Sequence, residues 1–157
     1  MGANASRVAA QVDKLTAATL RASGGADLTT TTTETAVSLN ELRTAYWHNF
    51  EIPHGKITVP VVVSKADTGG TNAYTLELLV DDTAAMSDTP VSLGKVTIPP
   101  GAVGEYEFVV DSKSIPALDP DHASNDAGKW IAIKAGVTGD TTPKLNYSAW
   151  LGHCRGA

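Results

Sequence analysis

From about Thr35 onward apolar and polar residues alternate along the chain, the period-2 signature of strands with one buried face. Ile57, Val59, Val61 and Val63 share one face of a predicted strand, and Pro60 falls on the other, which suggests an edge position or a bulge. Tyr74, Leu76, Leu78 and Val80 line the next strand, opposed by Thr75 and Glu77. Tyr106, Phe108 and Val110 repeat the arrangement against Glu105 and Glu107, Ile131, Ile133 and Ala135 do so again, and Leu145, Tyr147, Ala149 and Leu151 form the last run. In VSLGKVTIP the apolar set changes phase between Val91–Leu93 and Val96–Ile98, so Gly94 marks a bulge or bend. AYWHNFEI and TETAVSL add two candidates, and the turn signals KADTGGTN, DDTAAMSDTP, IPPGAVG and VTGDTTP separate the runs. Seven or eight short strands with this spacing predict an all-β antiparallel sandwich or barrel.

The start of the chain follows another rule. Val8, Val12, Leu15 and Thr19 are spaced for one helical face, and Gly24-Gly25 ends the pattern. The expectation is an N-terminal α-helical arm over residues 1–25, of about five turns at most. Its apolar stripe is thin, so Val8, Val12 and Leu15 suit docking on a partner or bundling with copies of the chain; a frayed arm is the other reading. Thr29 to Thr33 form a β-branched polar run that no helix favours. It reads as a linker over 26–34, leading into a β-domain over 35–157.

Composition narrows the function classes. The 157 residues are 42% apolar, enough for one sizeable core. Twelve basic against 17 acidic residues, net −5, leave no Lys/Arg run to neutralise phosphates, which argues against nucleic acid as a partner. No stretch approaches the roughly 18 consecutive apolar residues of a membrane span. The first 25 residues lack the apolar segment of a signal peptide, the expectation for a protein made in the cytoplasm. MGANAS matches a myristoylation pattern at Gly2 and Ser6, but no polybasic segment supplies a second anchor. The one cysteine, Cys154, leaves no internal disulfide.

Candidate chemistry is thin. Asp81, Asp82 and Asp88 in DDTAAMSDTP lack the alternate-position spacing of a calcium loop; Asp and Thr at a strand exit instead cap turns by binding nearby backbone N–H groups. The longest irregular segment, Asp111 to Gly128, holds Asp119, Asp121, His122, Asn125 and Asp126, which could ligate a divalent ion but also make an ordinary solvated loop. His48, His54, His122 and His153 are scattered, and no nucleophile elbow, zincin, Walker or dinucleotide motif is present. The expectation is therefore no catalytic residue, no metal and no cofactor. Trp130 and Trp150 are more informative, because strand parity puts both opposite the core-facing residues, as protein contacts or sugar-stacking platforms. The other reading is that strand twist turns them inward.

The stretches YTLELLVDDTAAMSDTPVSLGKVTIPPGAVGEYEFVVD and GKWIAIKAGVTGDTTPKLNYSAWL resemble the small cement, or decoration, proteins of tailed bacteriophage capsids. In those proteins a strand ending in acidic residues leads to a small-residue loop, a Gly-terminated turn precedes a strand like EYEFVV, and a strand like KWIAIKAGV is followed by a polar turn and a final strand. The resemblance covers about residues 35 to 152. It implies a jelly-roll-like antiparallel β-sandwich of about eight strands, a homotrimer or dimer, on the outer capsid surface at junctions between capsomers of the major capsid protein. The long start and Thr-rich linker depart from the pattern. A carbohydrate-binding module or phage surface lectin, using Trp130 or Trp150 and a calcium loop at Asp119 to Asp126, is the rival from another class; a hydrolase ranks last.

Overall fold

In the computed structural model, residues 19–39, 56–115 and 129–154 are described. Among these residues ten strands run in chain order: β1 Thr19–Arg21, β2 Thr32–Thr33, β3 Val37–Ser38, β4 Lys56–Ala66, β5 Ala73–Asp81, β6 Val91–Ile98, β7 Gly104–Asp111, β8 Trp130–Thr138, β9 Leu145–Trp150 and β10 Gly152–Cys154, with a 3-10 turn at Ser112–Ser114. They form two antiparallel sheets, so the all-β sandwich holds. Sheet I runs β1–β9–β4–β7, with β10 continuing the edge of β4 that β9 leaves; sheet II runs β2 and β3 side by side on β8, then β5, then β6.

The pairings nest. β5 pairs with β6, and each earlier strand pairs with a later one outside that hairpin: β4 with β7, β2 and β3 with β8, β1 with β9. Successive pairs fall alternately in the two sheets, so the chain wraps one long hairpin around itself.

Parity does the packing. Ile57, Val59, Val61 and Val63 of β4, Tyr74, Leu76, Leu78 and Val80 of β5, Ile131, Ile133 and Ala135 of β8, and Leu145, Tyr147 and Ala149 of β9 meet between the sheets, almost all fully buried. At about 1.5–3 kcal/mol for each large apolar side chain buried, this layer holds the two sheets face to face. The predicted phase change in β6 is a bulge at Leu93: Leu78 pairs with Gly94 and Leu79 with Ser92.

Three expectations are corrected. Residues 19–21, assigned to the end of the helical arm, are strand β1, paired with β9 at Thr19–Trp150 and Arg21–Ala149. Thr32–Thr33, assigned to a linker, are strand β2, and the hydroxyl of Thr31 beside them both accepts from the Val137 N–H and donates to the Val137 carbonyl. Pro60 does not mark an edge. β4 is central, and Pro60 sits where its neighbour changes from β9, ending opposite Val61, to β10, starting opposite Thr58. A residue without an N–H is tolerated at that break in the ladder. The predicted strand AYWHNFEI, and Val8, Val12 and Leu15 of the arm, lie outside the described residues.

Candidate functional site

β1 closes one side of sheet I and β2–β3 the same side of sheet II, and between them lies a cleft of about 490 Å³. Leu20, Arg21, Glu34, Val37, Ser38 and Trp130 are among its lining residues. Glu34 is the most consequential. Its Oε1 accepts from Arg21 Nη1 at 2.6 Å and from the Tyr147 hydroxyl at 3.2 Å, which joins an edge strand of sheet I, the loop after β2 of sheet II and the inward face of β9. Arg21 also donates from Nε to the Tyr147 carbonyl and from Nη2 to the Ala26 carbonyl, and its guanidinium lies 5.0 Å from the Tyr147 ring centroid. The Arg21 and Glu34 side chains are only 10% and 14% exposed. Burial, and after it the negative charge of Glu34, push the Tyr147 phenol far above its ordinary value. A phenol held protonated through neutral pH is no general base. The Arg21, Glu34 and Tyr147 side chains bond to one another, and Arg21 also to the backbone at Tyr147 and Ala26, so the cluster clamps two sheet edges.

The acidic loop has a different centre. Asp81, 2% exposed, ends β5. Its carboxylate accepts from the backbone N–H of Asp82 at 2.7 Å, Asp88 at 3.1 Å and Thr89 at 3.3 Å, and from the Thr83 hydroxyl at 3.4 Å. Burial alone would raise this carboxyl, but the four donors outweigh it and hold it below the usual carboxylate range. So fixed, the loop turns Met86, at a φ of 51°, onto Leu79 and Ala132 on the outer side of sheet II. The capping role expected of this loop is what the geometry builds. Among the described residues no group of three His, Cys, Asp or Glu side chains could hold a metal ion; Asp119, Asp121, His122, Asn125 and Asp126 lie outside them.

Trp130 and Trp150 belong to different sheets. Trp130 belongs to sheet II, half-buried against the cluster of Leu79, Met86 and Ala132, so it is as much a packing residue as a surface one. Trp150 belongs to sheet I, one step along β9 from the Val61–Ala149 pair and paired with Thr19. Ala149 and Leu151 point into the core, so the half-buried Trp150 side chain lies on the outer face. Its Nε1–H is out of water without an acceptor, a deficit of about 1–3 kcal/mol for an unmade hydrogen bond. Comparison with known protein families and with curated proteins finds no match.

The outer face of sheet I extends beyond Trp150. Because Ile57, Val59, Val61, Phe108 and Val110 face inward, Pro60, Val62, Glu105, Glu107 and Val109 face outward. Pro60 is opposite Glu107 and Val62 opposite Glu105. Towards the other end, the loop before β2 is fastened to this sheet: Lys65 Nζ reaches Asp27 at 2.8 Å, and the Asn146 amide donates to Asp27 and to the Gly25 carbonyl. Strand parity alone places Trp150 on the outer face, as the structure does. The surrounding patch and the Arg21–Glu34–Tyr147 clamp are not legible that way, because their members come from distant strands. The available hint for the clamp was a lone glutamate ending a run of threonines.

Proposed function

We propose that this chain is a structural virion protein without catalysis: a jelly-roll-like capsid cement protein that binds the outer shell at junctions between major capsid protein capsomers and forms homo-oligomers. The observation that carries the reading is the nested strand pairing, which rolls one long hairpin into two four-strand-wide sheets, an architecture that occurs in viral capsid and lectin domains. Fold alone does not fix function; the likeness of the β5–β7 and β8–β9 stretches to decoration proteins supplies the rest. A rigid scaffold with no staple and a few outward apolar anchors suits a protein whose many weak contacts act together on a lattice. Cryo-electron microscopy of the source particle should place a protruding β-sandwich between capsomers. Purified particles without this chain by mass spectrometry would overturn the proposal.

Trp130 in the lining of the cleft favours a second reading, a carbohydrate-binding module in which the indole stacks on a sugar ring. Isothermal titration across a glycan panel tests it, and the absence of saturable binding with and without calcium rejects it.

A further inference from the structure

We infer that the chain docks through the outer face of sheet I, and that its partner there is a protein surface with an apolar centre rimmed by lysine and arginine; on the cement-protein reading, that surface belongs to the capsid shell. Two properties coincide on this face. The first is unassigned apolar area. Val109 is 54% exposed, Val62 and Trp150 are half-buried, and none of the three belongs to either core cluster. With Pro60 they form one patch, because β7, β4 and β9 lie side by side and parity points all four outward. A tryptophan within such a patch is the residue type that most often dominates binding energy. Its Nε1–H has no acceptor in the free protein. A carbonyl on a partner, met as the indole turns outward, supplies one.

The second is unbalanced charge. Glu105 and Glu107 are exposed on β7, and their cross-strand neighbours on this face are Val62 and Pro60, not cations. Further along, Asp111 has Lys56 opposite it. The outer face of sheet II differs: Glu77 lies between Lys95 and Lys134 in register, with Thr75 beside Thr97, and its apolar residues Leu79, Met86 and Ala132 pack on one another. Two carboxylates with no ion-pair partner among the described residues, along one margin of an apolar patch, select a partner with basic groups at the matching margin.

The test measures binding of the full chain to shells of its particle assembled without it, by co-sedimentation over a range of concentrations. Glu105→Lys with Glu107→Lys reverses charge on two exposed side chains and leaves the core untouched; Trp150→Ala removes the anchor, with thermal melting as the check on folding. Lys95→Glu with Lys134→Glu is the control on the opposite face. The expected result is saturable binding of the unaltered chain that weakens with salt, at least tenfold weaker binding for the glutamate pair and for Trp150→Ala, and no change for the lysine pair. Binding of the glutamate pair equal to that of the unaltered chain overturns the face assignment and leaves the cement reading standing. No binding of the unaltered chain overturns both.

Discussion

Replacing Glu34 by alanine puts the clamp at the open side of the sandwich to a quantitative test. The change removes one oxygen that serves both Arg21 and the Tyr147 hydroxyl. Breaking a fully buried ion pair from one side costs about 3–5 kcal/mol, whereas an exposed pair contributes about 0.2–1 kcal/mol. With side chains 10% and 14% exposed the pair stands near the buried limit. Arg21 keeps two carbonyl acceptors and the Tyr147 ring, so its guanidinium is not stranded, and the expected loss is about 2–3 kcal/mol. Melting should fall by roughly 4–12 °C for a chain of this size. Urea unfolding followed by tryptophan fluorescence measures the loss directly. The double change Arg21→Met with Glu34→Leu removes both charges and refills the space, and should cost less than the sum of the single changes by more than about 1 kcal/mol. A Glu34→Ala loss below about 0.5 kcal/mol, or strict additivity in the cycle, would refute the clamp.

Other consequences are as concrete. Asp81→Asn leaves the shape but turns one acceptor into a donor facing backbone N–H groups; residues 82–90 should become the first site of limited proteolysis, and an unchanged cleavage pattern contradicts the capping role. Asp81, Asp140 and Asp27 all have lowered carboxyl values, so their contribution is present above the unfolded value of about 3.9 and lost as pH falls below it; acid titration of the melting temperature should show the decline in that window. Tyr147 works in the opposite direction: with its folded value raised, its contribution is complete below about pH 10 and declines as pH rises further. Ultraviolet titration should therefore find its ionisation coincident with unfolding. Gly139→Ala places a methyl group at a φ of 145° and 2.8 Å from Asn72 Cα, so it should destabilise by more than about 1 kcal/mol in the same urea assay.

The long strands were legible because burial on one face writes a two-residue period into β4, β5, β7, β8 and β9. β1 and β2 were not, since three and two residues carry no period. They are strands because β9 and β8 offer free edges, and because Arg21 and Thr31 bond across to Tyr147 and Val137. The same locality hid the clamp: Arg21 and Glu34 are 13 positions apart, but the tyrosine that completes the group lies 126 positions from Arg21. Asp81 was readable as a turn-former from its place at a strand exit. That it would be nearly inaccessible, and would carry Met86 onto sheet II, depends on a loop path no spacing encodes.

The nested pairing also imposes an order in time. The β5–β6 hairpin contains its own partners and can form as soon as both strands exist, whereas β4 waits for β7, β2 and β3 wait for β8, and β1 waits for β9. A chain emerging from the ribosome therefore keeps its earliest strands single until the latest are made. Loop closure over such separations makes folding slow. During that interval the apolar face of β4 stands unpaired, the interval in which a chain of this topology is most exposed to aggregation.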